Sequence, residues 1–212
     1  MNTIFEKITN TYKLKLAEFD ESHDILFQII KNNLNDEEKK FYDKIKNKKR
    51  KKEWLGTRIL LKDILGLHKK IFYDEKGKPY LNEKLHISIT HSNKYIGIII
   101  SKNKIVGVDL ELISNRILKT AHKFISVENL SEINGKNYLQ KIYLHWCAKE
   151  TLFKIKGGGG YNFINDFIVK PFKLANSGTL ETQILKNKAE SITLCFQFIN
   201  QSENQLLLVW SG

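Results

Sequence analysis

Apolar positions along this chain follow two periods. Between residues 50 and 65, Trp54, Leu55, Ile59, Leu61, Ile64 and Leu65 recur at helical spacing, and Gly66 follows as a stop. The same period returns from Tyr138 to Ile155 through Leu139, Ile142, Tyr143, Trp146 and Phe153, and is cut off by the glycines at 157–160. An earlier helix starts at Asn35, because Glu38 three residues on completes a capping box. Its pattern runs through Phe41 and Ile45 into the basic run at 48–52. Short β-rich segments occupy residues 86–90, 94–101 and 105–111, with a turn at 101–104. Further strands are expected at 163–169, 179–185, 191–199 and 205–210, after a polar stretch of mixed helical character at 114–137. Helices then strands, repeated once, predict an α+β protein of two similar lobes, 1–106 and 107–212, dividing near Gly107.

Composition narrows the class. Hydrophobic residues make up 42% of the chain, with 12 Phe, 8 Tyr and 3 Trp, enough for a packed core rather than disorder. The apolar runs fall well short of the roughly 20 residues needed to span a bilayer. Met1 to Thr11 contains Glu6 and Lys7 and lacks the apolar core of a signal peptide. Cys147 and Cys195 are too few for a disulfide framework or a zinc cluster. These features predict a cytoplasmic protein without a membrane partner. Lys and Arg exceed Asp and Glu by 35 − 23 = 12, a balance that attracts phosphates, nucleic acid or acidic proteins. The richness in Lys, Asn and Ile also fits an AT-rich genome, so charge alone does not choose among them. The run at 48–52 lacks the interleaved aromatics of single-strand binders, which argues against nucleic acid.

The candidate chemistry lies in two segments. Asp109 and Glu111 are two apart on a strand and project from one face. Glu150 and Lys154 are four apart on a helix, share a face, and have Lys149 beside them. Each pair also reads as ordinary solvated charge, the helical one worth a few tenths of a kcal/mol. Brought together, carboxylates and lysines would suit a hard cation with a phosphate-bearing ligand. His91 stands at a strand-to-turn junction and Lys78 in the turn Gly77-Lys78-Pro79; a structural histidine and an exposed turn lysine describe them equally. The glycines at 157–160 are no phosphate loop, since neither a preceding strand nor a following Gly-Lys-Ser/Thr is present.

In this order the segments Gly77-Lys78-Pro79, Ser88-Ile89-Thr90-His91-Ser92, Gly107-Val108-Asp109-Leu110-Glu111 and Trp146-Cys147-Ala148-Lys149-Glu150-Thr151-Leu152-Phe153-Lys154 resemble the Sfp-type 4′-phosphopantetheinyl transferases. The resemblance implies a pseudo-twofold pair of α+β lobes that binds coenzyme A and magnesium and acts as a monomer. It implies an enzyme of the holo-[acyl-carrier-protein] synthase type. Such an enzyme moves the phosphopantetheine arm of coenzyme A onto a serine of an acidic acyl or peptidyl carrier protein and releases adenosine 3′,5′-bisphosphate. Carried over, Asp109, Glu111 and Glu150 would hold Mg2+, and Glu150 would also take the serine proton. Lys154 and Lys149 would meet the pyrophosphate, while Lys78, Thr90 and His91 would face the adenylate end. The basic segment 39–58, with Lys40, Arg50 and Arg58, is where help with the 3′-phosphate is expected. Lys123-Phe124 replaces an Arg-Phe element, and Ser126-Val127-Glu128 runs a residue short where the carrier would dock. Two rivals remain at this point: a basic nucleic-acid-binding module, and an inactive binder of coenzyme A or carrier.

Overall fold

A computed structural model describes residues 1–82, 85–133, 135–202 and 204–212. The chain divides into two compact units, Met1–Lys104 and Ile105–Gly212.

The first unit opens with strands, not with the expected helices. Strands β1 (Asn2–Ile8) and β2 (Tyr12–Glu18) form an antiparallel hairpin. Tyr12, Leu14 and Leu16 are buried between the more exposed Lys13 and Lys15, the period-two alternation of a half-buried strand. Helices α1 (His23–Ile30), α2 (Asp36–Lys44) and α3 (Lys48–Leu65) follow. Then come a short hairpin of β3 (Phe72–Tyr73) and β4 (Pro79–Tyr80), and strands β5 (His86–Ser92) and β6 (Tyr95–Ser101). The main sheet has the antiparallel order β1-β2-β6-β5, and α3 packs on β2 and β6. Its core includes Phe19, Leu26, Ile30, Leu55, Leu61, Ile96 and Ile98.

The capping box forms as expected: the Glu38 N–H donates to Asn35 Oδ1 at 2.9 Å, and the Glu38 carboxylate accepts the Asn35 N–H. The helix does not run on into the basic residues, however. Ile45 is extended, and Asn47 caps a new helix by accepting the Arg50 N–H at 3.0 Å. Two local side-chain acceptors thus outcompete a continuous apolar period.

The second unit begins with β7 (Val108–Leu112), two single 3-10 turns (Asn115–Lys119 and Ala121–Lys123) and α4 (Val127–Glu132). The long helix α5 (Tyr138–Lys156) leads into β8 (Phe167–Val169), β9 (Ser177–Ile184), β10 (Glu190–Gln201) and β11 (Asn204–Ser211). These strands form an antiparallel sheet of order β7-β11-β10-β9-β8, with α5 against β7 and β11. Leu144, Cys147 and Leu152 of α5 are fully buried with Phe167, Leu180, Leu194, Leu207 and Val209. Each such aliphatic side chain contributes about 1.5–3 kcal/mol by leaving water. Helix α5 ends where Gly157 adopts φ 75° and returns its N–H to Phe153 O at 3.0 Å. The strand expected from 163 begins only at 167. Asn162 Oδ1 accepts the N–H groups of Ile164 and Asn165 and holds that segment in a turn. Within the polar stretch 114–137, Asn134 lies outside the described residues.

Both units are long helices on antiparallel sheets, so the protein is α+β. Among the described residues no helix is long and apolar enough to cross a membrane.

Candidate active site

The site of the second unit starts at a glycine. A Cβ on Gly107 would lie 2.5 Å from Thr151 O and 2.9 Å from Ile155 Cγ1, so only glycine lets the chain enter β7 this close to α5. Gly107 N–H donates to Ser211 Oγ at 2.8 Å, and Ser211 N–H returns to Gly107 O at 3.0 Å. Asp109 pairs across the sheet with Val209, and the Thr151 hydroxyl donates to Val209 O at 3.3 Å. Strand and helix are therefore pinned on both sides of Asp109.

Side chains of the two elements then meet. The Asp109 residue is 5% exposed, and its Oδ1 accepts from Lys154 Nζ at 2.8 Å. The same ammonium donates to Val108 O at 2.8 Å. Glu111 Oε1 accepts the indole N–H of Trp146 at 3.1 Å. Glu150, one turn before Lys154, is half-buried. Burial, together with the charges of Asp109 and Glu111, raises its carboxyl to about 7 against the opposing pull of Lys154. Burial, with Asp109 and Glu111 adding to it, also pushes the Cys147 thiol up, so it stays protonated and inert.

A carboxyl held near neutrality by burial and by neighbouring carboxylates is a group that either accepts a proton or calls for a cation. The donor set is all oxygen, the kind that magnesium takes. Among the described residues no three Asp, Glu, His or Cys side chains gather closely enough to make a metal cage unaided. The expected three-carboxylate cage is thus not assembled by the side chains as they stand, with Lys154 paired to Asp109 and Trp146 to Glu111. The oxygen chemistry fits magnesium, as a partial set that phosphate oxygens and water would complete.

Two basic residues expected to bind substrate have other partners. Lys149 is 4% exposed, and its ammonium donates to Phe124 O at 2.7 Å and Phe163 O at 2.5 Å. Burial lowers its proton affinity, to about 8, while the two carbonyls hold the proton on. It fastens two loops rather than facing a phosphate. Arg58 is 3% exposed, ion-paired to Glu38 at 2.9 Å and stacked on Trp54 with its guanidinium carbon 3.3 Å from the ring centroid. Its place is in the core, so its expected part in holding the 3′-phosphate is withdrawn.

The remaining candidates of the first unit stay partly accessible, apart from Thr90. His91, on β5, shares a 2.8 Å hydrogen bond between Nε2 and Thr57 Oγ1. Because the Thr57 hydroxyl donates its one proton to Glu53 O at 2.7 Å, Nε2 of His91 carries a hydrogen. Thr90, beside it, is 3% exposed. Lys78 sits after Gly77, whose φ of 79° closes the β3–β4 turn; burial lowers its ammonium, and Asp74 opposes that. Arg50 is exposed at the first turn of α3, 3.5 Å from Glu53. Trp146 and Thr57 were not singled out as polar partners from the sequence. The signal for Trp146 was an indole donor on the same helix as the acid, although its spacing reads as apolar.

Fold and site together define an α+β protein whose second unit sets carboxylates against a lysine on a strand and a long helix. The family model described as the 4′-phosphopantetheinyl transferase superfamily matches residues 105–207. Over those residues the chain is similar to that superfamily. It is 30% identical over 125 residues to "4′-phosphopantetheinyl transferase gsp" of Aneurinibacillus migulanus, covering 57% of this chain and 50% of that protein. To "4′-phosphopantetheinyl transferase AcpT" of Escherichia coli (strain K12) it is 24% identical over 123 residues, 55% of this chain and 63% of that one. The AcpT of Salmonella typhimurium (strain LT2) is 27% identical over 123 residues, with 55% and 64% covered. The chain thus spans between half and two thirds of the length of these relatives.

Proposed function

We propose that this protein transfers the 4′-phosphopantetheine arm of coenzyme A to a serine of an acyl or peptidyl carrier protein and releases adenosine 3′,5′-bisphosphate. The observation that carries this reading is the meeting of Asp109 with Lys154 beside Glu150, whose carboxyl is poised near neutrality. The likeness of residues 105–207 to the transferase superfamily supports the reaction class.

A serine hydroxyl is a weak nucleophile and needs a base within reach. Glu150 is that base: with its carboxyl at about 7, the charged form is available at neutral pH and still binds a proton well. The serine oxygen forms a bond to the β-phosphorus of coenzyme A as the bond to the departing bisphosphate breaks, and Glu150 takes the serine proton. Lys154 supplies positive charge to the pyrophosphate oxygens. Asp109, Glu111 and Glu150 would hold magnesium, which when bound neutralises pyrophosphate charge. His91 and Lys78 would meet the adenylate end, where the Nε2–H fixed by Thr57 sets the ring orientation of His91. Arg50 remains a candidate for phosphate, whereas Lys149 and Arg58 do not.

The test is release of adenosine 3′,5′-bisphosphate, followed by chromatography, from a mixture of this protein, coenzyme A, Mg2+ and an apo carrier. Release is expected with the native carrier and absent when its acceptor serine is replaced by alanine. Equal release from both carriers would mean hydrolysis and overturn the reading.

A further inference from the structure

Lys149 presents a puzzle of burial. An ammonium withdrawn from water costs several kcal/mol unless its donors are met, and an apolar side chain would fill the space without that cost. Here the charge is retained and spent on two main-chain carbonyls, Phe124 O at 2.7 Å and Phe163 O at 2.5 Å. These lie 25 residues before and 14 after it, on separate loops of the same unit.

The side chains of those two residues hold a third. The ring of Phe124 packs on Trp146 with centroids 4.9 Å apart, and that of Phe163 packs on it at 5.8 Å. Trp146 is one turn before Lys149 on α5, so the ammonium and the indole leave the helix on neighbouring positions. The indole N–H in turn donates to Glu111 Oε1 at 3.1 Å. A glutamate at a strand end has several rotamers of similar energy, and one directed donor selects among them.

We infer that Lys149 and Trp146 are positioning residues. Lys149 fixes the Phe124 and Phe163 loops, their rings wedge Trp146, and Trp146 aims the Glu111 carboxylate for a divalent ion. This rests on the reading of the site given above. The role assigned to Lys149 is the reverse of a phosphate contact: it acts from within the protein and meets no substrate. Partners of this kind behind a ligating carboxylate are worth about 10–100-fold in metal affinity.

Binding of Mn2+ alone to the purified full chain, read by electron paramagnetic resonance, tests this without turnover. Trp146→Phe keeps an aromatic ring and removes the N–H; it is expected to weaken Mn2+ binding about 10-fold. Lys149→Met is expected to do the same. In a Glu111→Gln background, neither change should weaken binding further, because the carboxylate they serve is gone. A general loss of packing would weaken binding in both backgrounds alike, and that result overturns the inference, as does unchanged Mn2+ binding in Trp146→Phe. Should Lys149→Met fail to fold, Trp146→Phe decides. Asp109→Asn separates the inference from the reading beneath it. Native protein that binds Mn2+ no better than Asp109→Asn overturns the metal site itself. Native binding that Asp109→Asn loses and Trp146→Phe keeps overturns only the positioning role.

Discussion

Glu150 lets stability and chemistry be read from one side chain. Its folded carboxyl holds a proton up to about 7, whereas the unfolded group releases it near the ordinary value of 4.5. Between those values the folded state binds more protons, so stability falls as pH rises through that window. Glu150→Gln removes the penalty: without metal, the variant and native protein should unfold alike near pH 4, and the variant should be more stable above pH 7. The gain is on the order of 1–2 kcal/mol after allowing for partial exposure. Thermal unfolding across pH measures it, and equal profiles would mean that neither burial nor the neighbouring carboxylates raise this group. The same variant should lose at least about 100-fold in transfer, the usual range for a missing base. His91→Ala should raise the coenzyme A concentration needed for half-maximal rate while changing the maximal rate less, as initial rates would show. Asp109, Glu111, Glu150 and Lys154 could be named from sequence because their spacing on strand and helix is a local property. Arg58 and Lys149 were misjudged because residue type does not disclose burial: each has its charge satisfied by a group distant in the chain, Glu38 for one and two loop carbonyls for the other.

Elements place those side chains, and Gly107 is the point where placement is most exposed to a single atom. Adding one methyl there sets a Cβ against the main-chain oxygen of Thr151, which a flexible side chain could evade but a helix cannot. Gly107→Ala should therefore cost about 1–3 kcal/mol as an overpacking change. It should also cut transfer, because β7 and α5 carry Asp109 and Lys154 on opposite sides of that contact. Urea unfolding and turnover check the two together; native-like values in both would show that the close approach is not needed. The long helices were legible from their apolar period and glycine stops, and the strands at 86–101 and after 177 from β-branched runs. The N-terminal hairpin was missed although Tyr12, Leu14 and Leu16 alternate, because β1 is an edge strand with most positions exposed and signals little. The break between α2 and α3 turned on the Asn47 cap, a single polar atom that an apolar pattern does not register.

At the scale of the whole molecule, the net charge of +12 is a property of association rather than of fold. Toward an acidic carrier protein of the proposed class, this field should speed encounter. Raising ionic strength from about 0.05 to 0.5 M should lower kcat/KM for the carrier several-fold and leave kcat nearly unchanged. An insensitive kcat/KM would assign the charge to composition alone. The family match falls on residues 105–207, within the unit that holds the paired carboxylates and the lysine, and this is also where the motifs were densest in the sequence. The transfer reaction itself is open to one direct measurement, the intact mass of an apo carrier protein after incubation with this protein, coenzyme A and Mg2+. The carrier should gain a single phosphopantetheine arm, and the gain should vanish with Glu150→Gln. A carrier that stays unmodified here, yet is modified by an established transferase under the same conditions, would contradict it.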